Sequence, residues 1–303
     1  KSRILYTHVE TVKSNDEIEH PSVRATLKHM RVTEGVEIHH DGDLPARSGL
    51  GSSSTFTVGL LNAVYALKQS MSTKMQLARD AIHIEQNILE ENVGSQDQVL
   101  AAFGGFVKID FHASSNNYTS DFSVMPVLVN QRRLAEFQSH LQLYFTGLSR
   151  ISSEIAKEQV ETIKNRVPEL SSLRQMVDEA IKILTSSDDL ADFGSLLDES
   201  WKIKRSLTSK VSMPKIDSIY EAAKEAGAIG GKLLGAGGGG FMLLFAKPET
   251  HSAIREKLRG LLRIPFGFEN GGSQIILYQP DMPVEADGIN LTRLVTELQF
   301  GVR

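Results

Sequence analysis

Pro45-Ala-Arg-Ser-Gly-Leu-Gly-Ser-Ser-Ser-Thr55 puts two glycines and three consecutive serines directly before an apolar-periodic segment. Phe56, Leu60, Ala63 and Leu67 share one face at helical spacing, which predicts a helix over 52–67. The serines Ser52, Ser53 and Ser54 then stand at its N-cap and first turn. A helix start carries unpaired N–H groups and the positive end of the macrodipole. Gly49 and Gly51 let the backbone approach an anion closely. The run from Ser48 through Leu50 to Ser54 therefore reads as a phosphate cradle, and its hydroxyls can ligate a magnesium ion held by that phosphate. Taken alone, Gly-Ser before a helix is also an ordinary cap.

Alternation and periodicity order the chain on either side. Residues 3–12 and 36–40 read as strands, with a helix from Pro21 to Met30 between them. A helix over 73–90 places Ala78, Ile82 and Glu85 on one face, and a loop, 92–98, follows it. Strands are expected at 106–111, 122–129 and 141–145. Helices are expected at 151–165, 168–184, 190–207 and 214–226, with Asp188 and Ser212 as polar caps. The tail reads as strands at 228–234, 241–245 and 273–278, with a helix over 249–262. Residues 281–303 give no clear pattern.

A length of 303 residues suggests two domains, divided near residue 140. Apolar and charged fractions are those of a soluble globular protein. A net charge of −4 with no basic stripe argues against a nucleic-acid partner; the Arg132-Arg133 pair reads as a solvated helix start. The absence of cysteine excludes disulfides and thiolate metal sites and fits a cytoplasmic protein. No apolar run reaches membrane-spanning length and no signal peptide is visible, so no membrane partner is expected. His39 and His40 point to opposite faces of a strand, against a zinc site from that pair.

A second glycine cluster, Gly235-Ala236-Gly237-Gly238-Gly239-Gly240, contains a Gly-x-Gly-x-x-Gly match. A dinucleotide site needs a helix directly after such a match, and here Phe241-Met-Leu-Leu-Phe245 reads as a strand. Gly231-Lys232 is not a P-loop, because Leu233 stands where Ser or Thr is needed. What remains is a turn between strands that is richer in glycine than a hairpin requires.

Glu85 is a metal-ligand candidate, because a carboxylate on an apolar face is costly unless paired or metal-bound. The alternative is a residue at an amphipathic boundary. Asp97, twelve residues on, is either a catalytic carboxylate or a loop cap. Arg150 could meet a phosphate or be an ordinary surface arginine. Lys204 reads as a solvated lysine in preference to one facing a sugar phosphate.

The two glycine motifs, in this order and roughly 180 residues apart, resemble the second and third motifs of the GHMP kinases. These small-molecule kinases include galactokinase, homoserine kinase, mevalonate kinase and phosphomevalonate kinase. Gly49-Leu-Gly-Ser-Ser-Ser-Thr-Phe56, Ile84-Glu85, Gly94-x-Gln96-Asp97-Gln98 and Phe103-Gly-Gly-Phe106 resemble the heptose-phosphate branch.

The resemblance covers roughly residues 4–279 and implies a two-domain α+β kinase. Residues 1–140 would form an N-terminal ATP-binding domain with a mixed sheet, ribosomal protein S5 domain 2-like. Residues 141–303 would form the C-terminal GHMP domain, ferredoxin-like with added helices. It implies ATP and Mg2+ as cofactors and a sugar phosphate as the small-molecule partner. The acceptor implied is D-glycero-D-manno-heptose 7-phosphate, phosphorylated at C1, in nucleotide-activated heptose biosynthesis. Galactose, fucose or mevalonate, or a noncatalytic binding role, are the alternatives. By the same resemblance Glu85 ligates magnesium with Ser52 or Ser53, and Asp97 is the base or orienter of the acceptor hydroxyl. Gly237, Gly238 and Gly239 close over the phosphates, with Gly235, Ala236 and Arg150 toward the acceptor. The family's first motif, a glycine-rich strand and loop, is expected before residue 1, and its absence would leave a sheet edge unpaired.

Overall fold

The computed structural model describes residues 1–43, 49–112, 121–148, 165–208 and 210–280, with 155, 156, 158, 161 and 162 between. Ser48, Arg150 and the segment 281–303 lie outside the described residues. Secondary structure alternates between small sheets and helical layers, the α+β organisation expected.

The N-terminal half opens with β1 (Ser2–Leu5) and β2 (Val9–Val12), followed by α1 (Pro21–His29) and β3 (Glu37–His39). One strand was expected over 3–12, but the chain turns at Tyr6–His8, where Tyr6 N–H donates to His8 O at 2.9 Å. The turn lets β1 pair on both edges, antiparallel to β2 and parallel to β3, with Ile4 opposite Ile38. The sheet is thus mixed, as expected.

Helix α2 (Ser52–Leu67) falls where its periodicity placed it, but its buried stripe differs. Ser54, Thr57, Val58, Leu60, Leu61 and Val64 face inward, whereas Leu67 is 59% exposed. Helix α3 (Lys74–His83) runs into a π turn at Ile84–Ile88. Helix α4 (Gln96–Phe103) then replaces the second half of the expected 92–98 loop. Val58, Leu61, Ala78, Ala81, Ile82, Val99 and Ala102 bury one core among these three helices. The hairpin β4 (Val107–His112) and β5 (Asp121–Pro126) adds Phe122 to it.

Helix α5 (Gln131–Ser139) leads to β6 (Leu141–Phe145). Next come α6 (Val167–Thr185), α7 (Leu190–Leu207) and α8 (Pro214–Glu225), the caps shifting by one residue in α7, where Asp189 accepts from Ala191 N–H at 2.9 Å. Strands β7 (Ala228–Leu233) and β8 (Phe241–Ala246), helix α9 (His251–Lys257) and β9 (Leu262–Ile264) complete the half. The sheet order is β7-β8-β6-β9, antiparallel throughout. Trp201, Tyr220, Leu233, Met242 and Ile254 fill the core beneath it.

Helix α7 lies directly on β7. A Cβ on Gly230 would strike the carbonyl oxygen of Gly194, so glycine at both positions permits backbone-to-backbone packing. The strand expected at 273–278 does not form. The β6 edge is already paired with β9, and Ile276 and Leu277 are exposed. The chain here returns to the N-terminal half instead, with Gly105 N–H donating to Glu269 O and Ser273 N–H to Ala101 O.

Candidate active site

Gly51 is the N-cap of α2, in the left-handed region at φ 69°, with no side-chain cap hydrogen bond. The serines therefore occupy the first helical turn and not the cap. Ser52 is half-buried, Ser53 exposed and Ser54 buried. The first-turn amides have no capping side chain as a competitor, which is what an anion cradle needs.

Glu85 is 1% exposed. The π turn carries it: Leu89 N–H reaches Ile84 O at 2.9 Å, and the extra residue per turn aims the carboxylate at α2. Oε2 accepts from Ser54 Oγ at 2.8 Å and from Gln98 Nε2. The hydroxyl bonded directly to Glu85 is that of Ser54, in the same first turn as Ser52 and Ser53. Oε1 has no hydrogen-bond partner. Burial raises the Glu85 pKa, against the Ser54, Thr57 and Gln98 dipoles, which lower it. A buried carboxylate oxygen without a partner is a group prepared for a cation. No cluster of three or more His, Asp or Glu side chains suited to a metal occurs among the described residues.

Asp97 sits exposed in the first turn of α4. Desolvation raises its pKa. It abuts the cradle: a Cβ on Gly51 would lie 2.9 Å from Asp97 Cγ. Gln98, fully buried beside it, was not anticipated; the signal was an amide on the face that Val99 and Ala102 bury.

The second glycine loop meets the first. A Cβ on Gly235 would lie 2.7 Å from Gly49 Cα, and one on Gly49 3.1 Å from Leu234 O. Gly237 and Gly238 seat against the turn before α8: Gly238 N–H donates to Val211 O at 2.9 Å, so that amide is not available to a nucleotide. Gly240 O accepts from Thr146 Oγ1 at 2.8 Å, which pins the loop to the end of β6. Lys204, expected on a solvated face, is instead turned inward, its Nζ donating to the carbonyls of Leu233 and Gly235.

Both φ and contact restrict position 235. Gly235→Ala forces a side chain at φ +70° onto the Gly49 backbone. The variant is expected to lose about 1–3 kcal/mol, read as a lowered midpoint in thermal or urea unfolding.

The geometry thus brings the two glycine loops together, with Asp97 against Gly51 and the buried Glu85 bonded to Ser54. Residues 20–105 match the GHMP kinases N terminal domain, and residues 176–263 match the GHMP kinases C terminal domain. The chain belongs to the GHMP kinase family. It is 31% identical over 225 residues to a D-glycero-alpha-D-manno-heptose 7-phosphate kinase of Campylobacter jejuni, a match covering 73% of this chain and 64% of that protein. It is 25% identical over 229 residues to the bifunctional fucokinase/GDP-fucose pyrophosphorylase of Arabidopsis thaliana, covering 74% of this chain and 21% of that one. Among solved structures, a D-glycero-D-manno-heptose 1-phosphate kinase from Bacteriodes thetaiotaomicron shares the fold, with a TM-score of 0.71, 23% identity, and coverage of 91% of this chain and 83% of that one. The chain thus spans under two thirds of the length of these two sequence relatives. None of the described helices is long and apolar enough to cross a membrane.

Proposed function

We propose that this chain transfers the γ-phosphoryl group of ATP to a hydroxyl of a sugar phosphate, with magnesium as the metal. The observation that carries the reading is the meeting of the two glycine loops at Gly49 and Gly235, with Asp97 against Gly51 and the buried Glu85 bonded to Ser54 of the same first turn. The acceptor we propose is D-glycero-D-manno-heptose 7-phosphate at C1, supported by the 31% identity to a heptose 7-phosphate kinase.

Glu85 and the hydroxyls of Ser52 and Ser54 are the groups that would hold magnesium, which when bound offsets the negative charge of the transferring phosphates. The first-turn amides of α2 and the glycine backbone receive phosphate oxygens and fix the nucleotide. Asp97 accepts the proton of the acceptor hydroxyl; that oxygen forms the new bond to the γ-phosphorus as the bond to the ADP oxygen breaks.

The test is ADP release by the protein with magnesium-ATP across heptose 7-phosphate, free galactose, fucose and mevalonate. Release with heptose 7-phosphate at least roughly tenfold above every other acceptor supports the reading. Preferential release with mevalonate or a free sugar replaces the acceptor, and ATP binding without release on any acceptor sinks the catalytic reading.

A further inference from the structure

Two lysines near the second glycine loop feel each other's charge, and among the described residues neither forms an ion pair with a carboxylate. Lys204 is in the last turn of α7, and Lys232 is on β7. Lys232 lies two residues beyond Gly230 in unbroken register with β8, so its side chain turns to the face that α7 covers at Gly194 and Asp198. Lys204 Nζ gives two of its three protons to the Leu233 and Gly235 carbonyls. Among the described residues the Lys232 ammonium has no hydrogen bond or ion pair. Two carboxylates of the flanking helices are engaged with other partners. Asp198 holds Lys202 at 2.7 Å and Tyr220, and Asp217 holds Ser212 at 2.7 Å and Arg205 at 3.3 Å.

Such an arrangement is costly for the protein alone. Burial and the neighbouring charge of Lys232 push the Lys204 amine down to about 7, and burial lowers Lys232 as well. An anion between the two would remove both costs, pairing with the remaining protons and cancelling the repulsion. The pair also adjoins the cleft. Lys204 holds Gly235, Gly235 abuts Gly49, and Asp97 abuts Gly51 two residues further on.

We propose that Lys204 and Lys232 form a binding site for a phosphate monoester, occupied by the phosphate that the acceptor already carries. The inference rests on the sugar-phosphate kinase reading and deepens it. The amine pair, rather than the sugar hydroxyls, selects phosphorylated acceptors, because a free sugar offers no anion to draw the proton onto Lys204 or to pair with Lys232.

Lys204→Met, Lys232→Met and Lys204→Arg would be compared with the unmodified protein after circular dichroism shows each folded. Steady-state kinetics with heptose 7-phosphate and with ATP varied in turn give the first readout. The methionine variants are expected to raise the KM for the sugar phosphate roughly tenfold or more, with the KM for ATP within about twofold, and Lys204→Arg to keep most of the affinity. A rise confined to the KM for ATP would assign the pair to the nucleotide and overturn the proposal. An equal fall in kcat on every acceptor with unchanged KM would make Lys204 a prop for the loop and overturn it too.

Titration calorimetry with inorganic phosphate gives a readout independent of turnover. At about pH 8, above the value to which Lys204 is pushed, binding should draw a proton from the buffer, seen as a heat that varies with buffer ionisation enthalpy. That uptake should vanish in Lys204→Met. If no acceptor is turned over, the kinase reading fails while this titration still judges the pair. Phosphate binding indifferent to both lysines would overturn the site.

Discussion

Asp97→Asn is expected to lower kcat by roughly 10²–10⁴-fold, the range for loss of a positioned base, while ATP affinity stays within about twofold. The asparagine keeps the shape that rests against Gly51 and so keeps the cradle intact. What it loses is the capacity to take a proton from the acceptor hydroxyl. The raised pKa of Asp97 gives this a pH signature. The active form is the carboxylate, so kcat/KM should fall as pH drops through a value above the ordinary 3.8, and the asparagine variant should lack that acid limb. Isothermal titration with ATP separates binding from turnover. If the variant keeps the limb and loses less than roughly tenfold in kcat, Asp97 only orients the hydroxyl and the base assignment is wrong.

How far this site could be read from the sequence follows from how local each determinant is. The cradle was legible because one short run encodes it: glycines, serines and the helix that follows are consecutive, and α2 begins and ends where periodicity put it. Its inward face was misread because the apolar stripe is interrupted by Ser54 and Thr57, which are buried for their hydroxyls. The burial of Glu85 was legible as a carboxylate on an apolar face. The π turn that aims it could not be, since an inserted residue in a helix leaves no change in composition. The first turn of the helix that carries Asp97 was taken for loop, because the start of α4 has no side-chain cap. Lys204 was misassigned for a different reason. Lysine stems cover apolar surface with the amine in water on most helices, and only the contact with β7, made possible by Gly194 and Gly230, turns this one inward. The 273–278 segment alternates as a strand should, yet its sheet edge is taken by β9, a pairing between distant residues.

Glu85→Gln is expected to abolish most of the activity, roughly a hundredfold or more in kcat/KM at fixed magnesium, and at the same time to raise the thermal midpoint of the metal-free protein at neutral pH. The two effects share one cause. Folding takes Glu85 from water to a site where it is 1% exposed and where Oε1 has no partner. Its pKa is therefore raised in the folded state, so between the unfolded and folded values the native protein binds the extra proton. The contribution of that proton to stability is fully present below the ordinary 4.5 and is lost as pH rises through the folded pKa. At neutral pH the carboxylate is a cost that a neutral amide does not carry. Glutamine with its amide oxygen at the Oε2 position can still accept from both Ser54 Oγ and Gln98 Nε2. Removing the charge also removes the ligand, so magnesium-ATP should stabilise the unmodified protein more than the variant. Paired melting curves at pH about 5 and about 8, with and without magnesium-ATP, test the linkage. The stabilisation by glutamine should be larger at the higher pH and should shrink or reverse when magnesium-ATP is added. A variant that melts lower at both pH values, or that retains turnover, would show that Glu85 is held for structure and not for the metal.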